Sequence, residues 1–168
     1  MEAVTQAFNV IVTRGGAALR AMLGWDKDAD VERARQLVRL GALLHDVGHT
    51  PFSHGPEELL PGKKKHEAFT EKIILKSEIS DIIARQRTPF RLTAKEIADV
   101  ALGSKWRLAS DVTTRVLAEL VSGDLGADRI DYLVRDSLHA GVAYGKFDYP
   151  RLIRVKSHLS HQTSFGAA

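Results

Sequence analysis

The stretch Leu43-Leu44-His45-Asp46-Val47-Gly48-His49-Thr50-Pro51-Phe52-Ser53-His54 decides how the chain is read. It puts three histidines and an aspartate within ten residues. An apolar run ends in the adjacent pair His45 and Asp46. Gly48 and Pro51 then break the chain, and His49 and His54 follow in the turn. A water-accessible cluster of imidazoles beside a carboxylate is the chemistry of a metal site or of a general acid/base site.

Upstream, Val31, Ala34, Leu37, Val38, Gly41, Ala42 and Leu44 recur at helical spacing, with Asp28 and Asp30 as candidate N-caps. Arg33, Arg35 and Arg39 fall largely on the opposite face. This helix delivers the His45-Asp46 doublet on a rigid element, and Gly48 supplies the stop. A preceding helix over residues 2–23 is marked by Val4, Ala7, Phe8, Ile11 and Val12, with Gly15-Gly16 predicting a break. Downstream, the prolines and glycines of residues 48–65 make a long loop, a length often tied to function. Helices are expected from His66 to Lys76, over 78–86, from the capping box Thr93-Ala94-Lys95-Glu96 to Leu102, and after Asp111.

Composition narrows the function classes. The chain has 168 residues, 44% hydrophobic and 27% charged, enough for one domain with a real core. The net charge of +3 is mild, and Lys63-Lys64-Lys65 is too short a basic block to argue for nucleic-acid binding. There is no cysteine, which excludes disulfides, thiolate ligands and thiol nucleophiles and fits a cytoplasmic location. No apolar run approaches the roughly 20 residues that span a membrane. No Gly-rich phosphate loop or serine-hydrolase signature is present.

A second informative stretch is Leu125-Gly126-Ala127-Asp128-Arg129-Ile130-Asp131-Tyr132-Leu133-Val134-Arg135-Asp136-Ser137. In a helix, Asp128, Tyr132 and Asp136 share one face, Asp131 and Arg135 pair, and Ile130, Leu133, Val134 and Leu138 form the packed side. A carboxylate–phenol–carboxylate stripe on a mostly buried helix is costly unless it lines a cavity or binds something. The segment Leu152-Ile153-Arg154-Val155 fits a short strand or a helix start, and the tail from Ser160 is polar. One histidine alone is more often structural than a ligand, and His139, His158 and His161 are left as such. His45, His49, His54 and His66 together, beside Asp46, point to a site, while Asp128 reads equally as a carboxylate placed at a helix N-terminus. Imidazoles plus carboxylates suit a divalent ion such as Mn²⁺, Fe²⁺, Ni²⁺ or Zn²⁺. Such an ion turns bound water into a nucleophile.

These motifs give the chain a family likeness. Leu44-His45-Asp46-Val47-Gly48-His49-Thr50-Pro51-Phe52-Ser53-His54, His66-Glu67, and Asp128-Arg129-Ile130-Asp131-Tyr132 continuing to Arg135-Asp136 resemble the HD-domain phosphohydrolases. More narrowly they resemble the dNTP triphosphohydrolase branch, which includes the SAM- and HD-domain-containing dNTPase. The resemblance implies that His45, Asp46 and Asp128 bind a divalent metal (Mn, Fe, Mg, Ni or Zn). It implies that His49, His54 and His66 surround the triphosphate, with His54 and His66 assisting leaving-group protonation or nucleophile positioning. Arg129, Tyr132 and Asp136 would contact phosphate and sugar, Tyr132 crowding the sugar 2′ position. The implied reaction is hydrolysis of a dNTP to a deoxynucleoside and inorganic triphosphate, with a homo-oligomer as the full-length form. Hydrolysis of a nucleoside monophosphate, a cyclic dinucleotide or (p)ppGpp, and a non-catalytic HD-fold binding module, are the alternatives.

The family also carries a histidine in an Arg-Phe-x-His-Ser-Leu-Gly-Val-type segment, and no histidine precedes His45 here. The expectation is a fragment short at both ends, a three-ligand remnant of a four-ligand site with weakened metal binding and activity. The expected fold is all-α, a compact HD-domain bundle of about six to eight helices around the metal site. Residues 1–159 form the domain, with a short strand or irregular segment near its C-terminal end, and residues 160–168 form the tail.

Overall fold

A computed structural model describes residues 1–60, 62, 65–106 and 111–155. Among these, the architecture is all-α. It comprises α1 (Glu2–Leu23), α2 (Asp28–Leu44), a 3₁₀ turn (Gly55–Leu59), α3 (His66–Lys76), α4 (Glu78–Ala84), α5 (Ala94–Trp106), α6 (Val112–Ser122) and α7 (Ala127–Ala140). Residues 149–155 are helical as well, not a strand. Asp148 explains this: its side chain accepts the Arg151 N–H at 2.9 Å, an N-cap with Pro150 in the first turn where its missing donor costs nothing. Most of the lysine run (Lys63 and Lys64), His158, His161 and the polar tail lie outside the described residues.

Local signals place most helix ends. Asp111 caps α6 by accepting the Thr114 N–H at 2.7 Å. Thr93 and Glu96 form the reciprocal capping box of α5, at 2.9 and 3.2 Å. Gly141 ends α7 in a left-handed conformation, φ 68°. Gly16, at φ 50° and ψ −141°, puts the expected break inside α1. Gly103 kinks α5 where an end was expected, and helical residues continue to Trp106. The N-cap of α2 is Lys27, not an aspartate. Asp30 instead accepts the Lys27 backbone N–H at 2.9 Å, and Asp28 pairs with Arg20.

The core is nonlocal. Helix α5 packs against α2, α3 and α6, and its Ile97, Ala98 and Val100 are fully buried. Phe8, Val38, Ile74, Leu117 and Val121 close around it. Gly41 permits the close approach of α2 to α5, since a Cβ there would meet Val100 Cγ1 at 2.6 Å. None of the three α2 arginines is fully exposed. Arg33 bonds to Glu96 and the Phe90 carbonyl, and Arg35 sits over the Phe8 ring. Long arginine stems cover apolar surface while their heads stay polar, so a polar-face assignment misplaces them. Val112 is 42% exposed at the start of α6.

No described helix is long and apolar enough to cross a membrane.

Candidate functional site

Helix α2 ends at Leu44, and residues 45–48 continue as a hydrogen-bonded turn, with Val47 N–H on the Leu44 carbonyl and His49 N–H on the Asp46 carbonyl. The doublet is thus fixed by the last turn of a core helix, but it projects past the core. The Asp46 side chain is 48% exposed and that of Asp128 33%, so the site opens at one end of α2 and not at the centre of the bundle. Gly48 is required for a reason other than ending a helix. A Cβ there would lie 2.2 Å from the Thr70 nitrogen and 2.5 Å from the His66 carbonyl oxygen, so only glycine lets the turn press against α3.

Two clusters of donor groups result. The first is His45, Asp46 and Asp128. Asp128 arrives from the first turn of α7, where the helix dipole favours a carboxylate. His45 Nδ1–H donates to the Ala42 carbonyl at 3.0 Å, which fixes the tautomer and leaves Nε2 facing the acids. Nε2 lies 3.3 Å from Asp46 Oδ2 and 3.3 Å from Asp128 Oδ1. It is buried and makes no well-aligned hydrogen bond to either. Burial disfavours a charge on His45, but Asp128, Asp46 and the Ala42 carbonyl outweigh it and raise its pKa. The His45 contact holds Asp128 below the usual carboxylate range against the effect of its burial, with help from Arg135 and Arg129. A buried imidazole nitrogen between two carboxylates, without a good hydrogen bond, is a donor set that fits a divalent cation.

The second cluster is His49, His54, Glu57 and His66. The 3₁₀ turn brings Glu57 back under the histidines. Its Oε1 accepts from His66 Nδ1 at 2.8 Å, from the His66 backbone N–H at 3.2 Å and from His54 Nδ1 at 3.1 Å. Those contacts, led by His66 and opposed by desolvation, lower the Glu57 pKa from 4.5 to about 2. With Nδ1 held, Nε2 is the nitrogen left on His54 and on His66 to exchange a proton with a ligand. The His49 and His66 rings stack at 3.8 Å and 13°, and the His54 ring stands edge-on to both. Burial and the neighbouring His66 lower the His49 pKa, against the pull of Asp46. Asp46 faces both clusters: Oδ2 toward His45, and Oδ1 3.5 Å from His49 Nε2.

The sequence thus placed six of its nine site residues in these two clusters. The other three, on α7, stand apart from them. Arg129 leans on Asp124, 3.4 Å from its carbonyl oxygen. Tyr132 and Asp136 are exposed on the face that Asp128 begins, and neither makes a hydrogen bond or ion pair with a cluster. The stripe therefore carries little burial cost, contrary to the expectation of a mostly buried helix. Leu138, expected on the packed side, is 77% exposed, while Ala127, Ile130 and Ser137 are buried. Asp131 and Arg135 do pair, at 2.6 Å. Sequence reasoning missed Glu57. Its signal was the spacing of three from His54, which a helical turn brings together.

Comparison with known proteins agrees with this geometry. Residues 12–134 match the HD domain model. YwfO of Bacillus subtilis is 36% identical over 132 residues, which cover 78% of this chain and 27% of that protein. The metal-dependent phosphohydrolase cns2 of Cordyceps militaris is 28% identical over 124 residues, 72% of this chain and 30% of that one. A crystal structure of a hypothetical protein from Aquifex aeolicus superposes with a TM-score of 0.61 at 35% identity, covering 91% of this chain and 36% of that chain. The chain therefore spans about a quarter to a third of the length of these relatives. The match to the HD domain model spans most of this all-α chain, and the chain belongs to the HD domain family.

Proposed function

We propose that this chain carries the catalytic core of a metal-dependent phosphohydrolase that acts on a nucleotide, hydrolysing a dNTP to a deoxynucleoside and inorganic triphosphate. The observation that carries the reading is His45 Nε2, buried without a well-aligned hydrogen bond between the carboxylates of Asp46 and Asp128. His45, Asp46 and Asp128 would hold the ion. A divalent cation bound there supplies an activated water and polarises a phosphoryl oxygen.

The chain's own residues do the rest. Water oxygen bonds to the α-phosphorus and gives up a proton to solvent, the bond from phosphorus to the sugar O5′ breaks, and O5′ takes up a proton. His54 and His66 are the proton donors in this scheme, each steadied at Nδ1 by Glu57 so that Nε2 carries the transferred proton. His49, stacked on His66 and with its pKa lowered by burial and His66, supports the ring that delivers it. Arg129, Tyr132 and Asp136 extend along α7 from Asp128, a run that fits phosphate and sugar contacts. The similarity to cns2, described as a metal-dependent phosphohydrolase, supports the reaction class. The substrate choice rests on the pattern of His54, His66 and Tyr132.

The test is incubation of an N-terminally extended protein with each dNTP in Mn²⁺ or Mg²⁺, with products resolved by anion-exchange chromatography. Release of triphosphate, lost in His45→Ala, is the expected result. Equal release by His45→Ala ends the proposal. Release of monophosphate or pyrophosphate instead moves the reading to another phosphate ester.

A further inference from the structure

Thr70 is the one fully buried polar side chain of α3, and nothing in the reaction scheme uses it. It lies one helical turn beyond His66. Its Oγ1 accepts the Gly48 N–H at 3.0 Å and donates to the His45 carbonyl at 3.2 Å. The carbonyl is the doublet's own, and the N–H lies two residues past it. The His45 carbonyl belongs to the end of α2, where carbonyls have no partner in their own helix. The Gly48 N–H sits in the turn that follows. One hydroxyl therefore satisfies an acceptor just before Asp46 and a donor shortly after it.

Valine has nearly the same shape as threonine and would fill this place without burying a hydroxyl. Threonine is favoured only if its hydrogen bonds matter. The joint is also sterically tight, since Gly48 sits against the Thr70 nitrogen and the His66 carbonyl. On one side of it stand His45 and Asp46, and on the other His66. His49, next to Gly48, stacks on the His66 ring.

We propose that Thr70 is a positioning residue that sets the His45–Asp46–Asp128 cluster at a fixed offset from His49 and His66. This rests on the reading of the two clusters as halves of one phosphohydrolase site. Sliding of the turn along α3 would separate the His49 and His66 rings and swing the Asp46 carboxylate, which faces both clusters. The hydroxyl blocks that slide.

The test compares Thr70→Val and Thr70→Ser with the unaltered chain, well below their melting temperatures. Imidazole ¹H–¹⁵N spectra report the surroundings of His45, His49 and His66 directly. Mn²⁺ titration and triphosphate release report the consequence. Thr70→Ser keeps the hydroxyl and is expected to retain the imidazole spectrum and Mn²⁺ binding. Thr70→Val is expected to shift the His49 and His66 signals and to weaken Mn²⁺ binding and turnover by roughly 10–100-fold, the range seen for groups that orient metal ligands. A folded Thr70→Val with the unaltered imidazole spectrum and Mn²⁺ affinity overturns the proposal. So does a Thr70→Ser that loses both, which keeps the idea testable even if the valine variant does not fold. If the unaltered chain neither binds Mn²⁺ nor releases triphosphate, the phosphohydrolase reading fails, while the imidazole spectra still decide the role of Thr70.

Discussion

His45 and His49 lie one helical turn apart in sequence and face the same aspartate, yet their surroundings pull their protonation in opposite directions. Around His45 the two carboxylates outweigh burial, and its pKa rises. Around His49 burial and the neighbouring imidazoles of His66 and His54 outweigh Asp46 and Glu57, and its pKa falls. The first cluster is rich in negative charge and mounted on the ends of two helices. The second is rich in imidazole, rests on a loop and the start of α3, and has Glu57 as its organising carboxylate. One arrangement attracts a cation; the other gathers three imidazoles, two of them held at Nδ1 by Glu57. A hydrolase of phosphate esters needs both, one to bind charge and one to move protons.

The largest expected effect breaks the first cluster alone. Asp128→Asn and His45→Ala should each reduce Mn²⁺ affinity beyond the roughly 10–100-fold that orienting groups cost, and reduce triphosphate release to background. Calorimetric Mn²⁺ titration and product chromatography measure the two losses. Retained affinity in Asp128→Asn would separate α7 from the metal cluster.

Glu57→Gln should break the second cluster alone. Its carboxylate stays ionised down to about pH 2, so the lock on His54 and His66 persists across the neutral range. Without it, turnover is expected to fall by at least roughly 100-fold, the low end for general acid–base catalysis, while Mn²⁺ affinity is unchanged. Equal losses of affinity and turnover would show that the clusters are not separable. The kcat and Mn²⁺ affinity of the same sample decide this.

Gly48→Ala should disturb the joint between them. Backbone atoms of α3 occupy the space the methyl needs, so overpacking should cost about 1–3 kcal/mol of stability in urea titration. An unchanged midpoint would show that the turn stands away from α3.

The smallest effect belongs to a pair outside both clusters. Burial pushes the Glu96 carboxyl up, but Arg33 and Thr93 outweigh it and hold its pKa below the ordinary 4.5. Because the folded value is the lower one, the contribution is present above about pH 4.5 and lost as pH falls through the folded value. Both side chains are 35% exposed, so solvent screening limits it to about 1 kcal/mol or less. Glu96→Gln should flatten that acid limb in melting experiments and leave Mn²⁺ binding untouched. A change in Mn²⁺ binding would mean that the clusters depend on the α2–α5 contact.

Much of this molecule is written in local patterns. Helix periodicity, the Thr93 box and the Asp111 cap need only neighbouring residues, so the all-α fold was legible. The doublet was legible too, because the apolar run that precedes it is the helix that carries it. Where reading by pattern went astray, the cause was exposure. A helical period assigns residues to faces but does not say which face meets the core. Tyr132, Asp136 and Leu138 are exposed, while Ala127, Ile130 and Ser137 of the same helix are buried.

The sequence by itself determined the donor residues other than Glu57 and the helices of the fold, since both follow from side-chain chemistry and short-range hydrogen bonding. Only the tertiary structure decided which donors meet. Asp128 reaches His45 through the packing of α2, α6 and α7, and Glu57 reaches His66 because a 3₁₀ turn folds the loop back on itself. Thr70 reads as one more core position in a helix until the Gly48 turn lies against it. Such contacts join segments distant in the chain. They depend on how whole helices pack, which no local pattern encodes.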